Sequence, residues 1–181
     1  MSPGPAYGED TSTALSLVNT KVSGTSGIFD RLTDEGALAR WLRCQLVEAT
    51  SSPEHGRLAR FQQLRADTRV LLSALQQQQA LPQEALDRIN ATATEPVRPV
   101  LSTNRTLRWE PINPGSAEAK IARDLIRLVS SPDGTRLRIC AAEDCDRMFI
   151  QDHGRTVWCS PTCGNRIRAR RHAALRRTER T

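Results

Sequence analysis

No stretch of the 181-residue chain is apolar over the roughly 18 residues that a membrane span requires, so no transmembrane helix is expected. The opening, MSPGPAYGEDTSTAL, has neither a basic nor an apolar leader segment, so no signal peptide and a cytoplasmic location are expected. Aromatic residues are scarce, at 4%, and lysine is almost missing, with two against 24 arginines. The sequence has no glycine-rich phosphate loop, no nucleophile elbow and no HExxH, and the reading is therefore not an enzyme. Acids are nearly absent from residues 155–181, which hold eight arginines against Glu179 alone, whereas residues 1–154 are close to neutral. That asymmetry is the footprint of a polyanion-binding appendage.

The remainder reads as mainly α. Residues 1–10 look like a disordered tail, and residues 11–131 like a helical domain with one small β-hairpin. Helices are expected near 11–20, over 33–50 with Thr33 as N-cap, over 56–79, after Pro82, and over 116–131. Residues 21–30 read as a glycine-rich break, VRPVLS and TLRWEPI as a hairpin turning near Asn104, and PDGT (132–135) as a turn and domain boundary. Ala117, Ile121, Leu125 and Leu128 should face inward. His55 reads as a surface histidine, and Cys44 as a buried inert thiol or, failing that, a reactive one.

Four of the five cysteines stand at Cys140-x4-Cys145 and Cys159-x3-Cys163, thirteen residues apart. Two close pairs separated by a loop suit one tetrahedral zinc, and four thiolates close the coordination sphere, so the ion would be structural. Two disulfides or an iron–sulfur cluster are the alternatives, and His153 and His172 are not needed as ligands. A knuckle at Cys140–Cys145, a hairpin pairing RMFI with RTVWC, and a helix capped by Ser160 with Pro161 in its first turn make a treble clef over 136–178. Phe149 and Trp158 are expected to pack around the metal, with base stacking as the alternative for Trp158.

The helix from Pro161 carries Arg166, Arg168, Arg170, Arg171, Arg176 and Arg177, with Ile167 and Ala174 as an apolar line against the hairpin. A solvated, partnerless helix is one reading. A zinc-ordered helix on nucleic acid is the other, with Arg166 and Arg170 nearest base edges and a salt slope near −5 for about six phosphates.

CSPTCGNRIRARRH (159–172), preceded by CAAEDC, resembles the CGNR zinc finger, whose Cys-Gly-Asn-Arg stands here as Cys163-Gly164-Asn165-Arg166. LSLVNT (15–20), DRLTDEGALARWL (30–42) and LRADTRVLL (64–72) resemble the ABATE region that precedes such fingers and is associated with stress-induced transcription regulators. The resemblance implies zinc on the four cysteines and a bacterial regulator that binds double-stranded DNA. It also implies an N-terminal domain that senses a small-molecule effector, forms a homodimer, or both. Asn165 belongs to the defining motif, either reading a base or bonding back to the knuckle. The hairpin DHGRTVWC is shorter than in many members and leaves only Arg155 as a basic contributor. An RNA-binding or protein-interaction zinc module is the competing reading.

Overall fold

In the computed structural model, residues 4–24, 27–45, 56–94, 96–111 and 116–178 are described. Ser12 opens the short helix α1 (Thr13–Val18), its hydroxyl accepting from the Leu15 N–H. Asp124 reinforces that end, accepting from Ser12 Oγ at 2.7 Å and from the Ala14 N–H at 3.0 Å. An anionic oxygen at a helix N-terminus satisfies free N–H groups and suits the dipole.

Helix α2 (Glu35–Cys44) is capped by Asp34 rather than Thr33, because the Asp34 carboxylate reaches the Ala37 N–H at 2.7 Å. Residues 46–50 of the expected helix, and His55, lie outside the described residues. Helix α3 (Arg57–Gln76) is the spine, and α4 (Gln83–Ala93) and α5 (Ala117–Ser130) pack on it. The apolar stripe of α5 is inward as expected, with Ala117, Ile121, Leu125 and Leu128 all buried. Leu15, Phe61, Leu72 and Ile121 meet in one core, with Trp41 edge-on to Phe61 at 6.4 Å. Among the described residues no helix is long and apolar enough to cross a membrane.

Among the described residues, three antiparallel ribbons complete the fold. Residues expected to be a mere break form β1 (Lys21–Gly24) and β2 (Gly27–Asp30). The expected hairpin is present as β3 (Val97–Leu101) and β4 (Leu107–Pro111). PDGT is a single helical turn, α6 (Pro132–Thr135), leading into β5 (Leu137–Ile139), which pairs with β6 (Met148–Ile150). Strands of three residues cannot bury a face of their own. Leu137, Met148 and Ile150 instead enter the same core as α1, α3 and α5, so the segment after α6 grows out of the helical body. Asn19 joins the two parts, donating to the Met148 carbonyl at 2.8 Å and accepting the Met148 N–H at 2.9 Å.

Two expectations fail together, for one reason. RMFI does not pair with RTVWC, and residues 4–10 are not a disordered tail. The Ile150 N–H donates to the Tyr7 carbonyl and the Tyr7 N–H to the Cys159 carbonyl, each at 3.0 Å. The N-terminal strap thus occupies the place between the two segments. Gly8 sits at φ +87° with Ile150 Cδ1 2.7 Å from where a Cβ would stand, so no larger residue fits. Glu9 then meets the buried Arg147 at 2.7 Å, and Arg147 also donates to the Gly4 carbonyl at 2.7 Å. Removing the carboxylate leaves a buried cation without its counter-charge. Glu9→Ala should cost about 3 kcal/mol in urea unfolding of the zinc-loaded chain; a loss within error of zero would show that the strap is not bound.

Candidate metal centre and basic helix

The β5–β6 connection makes a tight loop, closed by Cys140 N–H to the Arg147 carbonyl at 2.9 Å and Cys145 N–H to the Ala142 carbonyl at 3.0 Å. This loop presents Cys140 and Cys145. Opposite stand Cys159 and Cys163, the latter in the first turn of α7 (Pro161–Thr178), where its N–H donates to Ser160 Oγ at 3.3 Å. All four sulfurs lie within 4.8 Å of one another, with separations of 3.8 Å (Cys145–Cys159), 3.5 Å (Cys159–Cys163) and 3.8 Å (Cys145–Cys163). A tetrahedral ion with metal–sulfur bonds of about 2.3 Å has sulfurs about 3.8 Å apart, whereas a disulfide needs about 2.05 Å. All five cysteines are unbridged.

The charge balance points to a cation. Hydrogen bonds from Cys145 and Cys159 hold the Cys140 thiol down to about 2, which favours its thiolate form. Its presence pushes Cys145 up to about 12 and raises Cys159 further, with burial adding to both. Left to themselves, four sulfurs this close cannot all ionise; a dication permits it. Cys140, Cys159 and Cys163 are buried and Cys145 half-buried, and among the described residues the cluster holds these four donors and no fifth, as befits a structural rather than a catalytic ion. His153 and His172 are exposed and take no part. Cys44 is exposed on α2 rather than buried, and it too is separate from the cluster.

The surrounding residues orient the site. Phe149 is fully buried beside the cysteines, with Ala6, Ala142 and, at the edge, Tyr7, Trp158 and Ile167. The Cys159 N–H donates to Cys140 Sγ at 3.4 Å, and Arg166 Nη2 to Cys163 Sγ at 3.5 Å. Donors of this kind disperse thiolate charge.

Each residue of the Cys-Gly-Asn-Arg stretch has a distinct task. Cys163 is a ligand. Gly164 lets Trp158 and Arg168 come close, since a Cβ there would lie 3.1 Å from Trp158 Cε3 and 3.2 Å from Arg168 Nη1. Asn165 is exposed and accepts from Arg168 at 2.5 Å instead of bonding to the knuckle. Arg168 in turn lies 5.5 Å over the Trp158 ring. Arg166 ties the helix to the knuckle through Asp144 at 2.7 Å, and Arg170 meets the other Asp144 oxygen at 2.9 Å. Arg166 and Arg170, expected nearest base edges, are thus both ion-paired to a nearly buried acid between the cysteines, Arg166 partly buried and Arg170 half exposed. Arg168, Arg171 and Arg176 are exposed, as is Ala174, because α7 runs clear of the body after Ile167 and the apolar line stops there. The side chain of Arg177 lies outside the described residues.

A second polar seam joins the knuckle to the helical body. Asp146, next to Cys145, accepts from Ser23 N–H at 2.8 Å and Ser23 Oγ at 3.1 Å, and faces Arg69 at 3.7 Å. Arg69 donates to the carbonyls of Val18 and Lys21 at 3.0 and 2.8 Å; burial holds its pKa below the usual value. Asp144, Asp146, Asn19 and Arg69 were not singled out from sequence. The signals were EDCD (143–146), an acidic knuckle just ahead of an arginine-rich helix, and the stretches LSLVNT (15–20) and LRADTRVLL (64–72), which hold Asn19 and Arg69.

Cys140→Ser and Cys163→Ser should each drop bound zinc from about one ion per chain to below about 0.2, and loosen α7 in circular dichroism. Wild-type zinc affinity should fall as pH is lowered, because protons compete for the same sulfurs. Variants that keep their zinc and their helix would show that the cluster does not hold the metal.

Two comparisons with known families fall on either side of α6. Residues 11–132 match the ABATE family, described as "Putative stress-induced transcription regulator". Residues 136–176 match the CGNR zinc finger. No curated protein matches the chain. The four-thiolate cluster is accordingly the zinc site of this finger, holding one structural zinc ion. With most of its length matched and its cysteines gathered as the finger requires, the chain belongs to the ABATE family and carries its regulator domain ahead of a CGNR zinc finger.

Proposed function

We propose that the protein is a DNA-binding transcription regulator in which the zinc centre holds α7 against duplex DNA and the helical body responds to a small-molecule effector. The observation that carries this reading is the outward arginine surface of α7, beginning at Arg168 and continuing through Arg171 and Arg176, on a helix whose first turn is fixed by a metal ligand. Arginine presents a planar fork that pairs with phosphates and with guanine edges. Arg168 is the best-oriented of them, because Trp158 lies beneath it and Asn165 holds one nitrogen. Arg166 acts as a positioning residue through Asp144, while Arg170, half exposed, lies within reach of a phosphate on the same side.

The effector's place in this reading is the cleft of about 410 Å³ between β1, β2 and α3, lined by Lys21, Asp30, Arg65, Arg69 and Asp146. Its outer wall is the Ser23–Asp146 contact, one residue from the zinc ligand Cys145. A ligand changing that contact would shift the finger only to the extent that it binds the two arrangements unequally.

The test is selection of the zinc-loaded protein on a randomised duplex pool near physiological salt, with a salt titration on the enriched sequence. An enriched motif is expected, with a log–log salt slope of about −4, for four or five phosphates neutralised by the arginines not committed to the knuckle. Arg168→Ala should weaken the enriched site by about 10- to 100-fold and relax its sequence preference, while Arg176→Ala should weaken all duplexes alike. No enriched motif and a slope near −1 would reject the reading, with RNA or an acidic protein partner taking the place of DNA.

A further inference from the structure

The β3–β4 ribbon has a face unlike the rest of the surface. Its register pairs Pro99 with Trp109 and Leu101 with Leu107, and alternation puts Val97 on the same side. Every one of these residues is apolar and exposed: Val97 by 44%, Leu101 by 74%, Leu107 by 58% and Trp109 by 62%. Arg98, Arg108 and Glu110 fall on the opposite face, where Glu110 lies 3.8 and 3.7 Å from the two arginines. A two-stranded ribbon is marginal in water unless its apolar face is covered. Among the described residues, none covers this one.

We propose that this face is a homodimer interface, covered by the same ribbon of a second copy of the chain. Area supports it. With full side-chain areas of about 150–250 Å², these four exposures leave roughly 450 Å² in water, a large patch for a monomer. Two such faces withdraw about 900 Å², and with Pro99 and the ribbon's polar flank they approach the roughly 1,200 Å² at which specific interfaces begin. Charge supports it as well. The face carries no ionisable group, so stacking it on itself strands no charge, and a foreign partner of either sign finds nothing there to pair with. The arrangement is isologous, as a closed two-fold dimer requires, since the same residues stand on both sides. A bilayer is a poor fit: the ribbon's tip, Ser102–Thr106, is polar and internally hydrogen-bonded through Asn104 and Thr106. Inserting the ribbon would bury that tip first.

Sedimentation equilibrium of the zinc-loaded full chain from about 1 to 100 µM tests this. The expected result is a rise from the 20.1 kDa monomer to twice that mass. Trp109→Glu and Leu101→Glu, both at exposed positions, should weaken the dimer at least about 30-fold while leaving zinc content and helix content unchanged. A wild-type chain that stays monomeric at 100 µM overturns the proposal. So does a dimer indifferent to both substitutions, or a monomer that co-sediments with anionic vesicles through Trp109. The proposal is independent of the DNA reading. Salt-dependent duplex binding kept by monomeric Trp109→Glu leaves that reading standing, and a wild-type dimer without duplex binding removes that reading alone.

Discussion

Four sulfurs within 4.8 Å of one another are the constraint on which the C-terminal third depends. As thiols they are poor partners, and as thiolates they repel. A dication turns this repulsion into a fixed point where a loop, a strand end and a helix start must meet. The effect of that point is directional. Cys163 fixes the phase of α7, Gly164 clears room for Trp158 and Arg168, and Arg166 reaches back to Asp144. The metal therefore sets which arginines of the helix stand over Asp144 and which stand away from it.

The finger is not an independent bead on a linker. Met148 and Ile150 lie in the core of the helical body, Asn19 serves Met148 as a neighbouring strand would, and Asp146 holds the β1 strand through Ser23. Three short contacts of different chemistry, one apolar, one amide and one carboxylate, thus link the body to residues on either side of the knuckle. A shift in the β1–β2 ribbon has a direct mechanical route to the metal loop. Arg65 limits such shifts, because its two nitrogens meet Asp30 at the end of β2 at 2.6 and 2.7 Å and are almost fully buried. These bonds hold the Asp30 carboxyl below its usual range against the opposing pull of burial.

Local features were legible in the sequence. The ligand set came from spacing, α3, α4, α5 and α7 from periodicity and caps, and the β3–β4 hairpin from alternation about a polar turn. Features that depend on partners far away in the chain were not legible. Nothing near RMFI says that its neighbour is Leu137–Ile139 on one side and Tyr7 on the other. An opening rich in proline and glycine has the composition of a tail, and only the slot beside Ile150, into which Gly8 fits, gives it structure. Likewise the arginines of α7 look equivalent in sequence. Their division arises from one acid, Asp144, which two of them share.

The strap also bears on how the molecule is assembled in time. Arg147 is held by Gly4 and Glu9, residues 143 and 138 positions away. Closing so long a loop is entropically costly, and contacts of this span form late in folding. Until the strap docks, the guanidinium lacks both Glu9 and the Gly4 carbonyl and is left to water or to the acids of the knuckle itself. Metal capture and strap docking then become a single cooperative ending: the ion orders the loop that receives the strap, and the strap seals the side of the cluster next to Cys159.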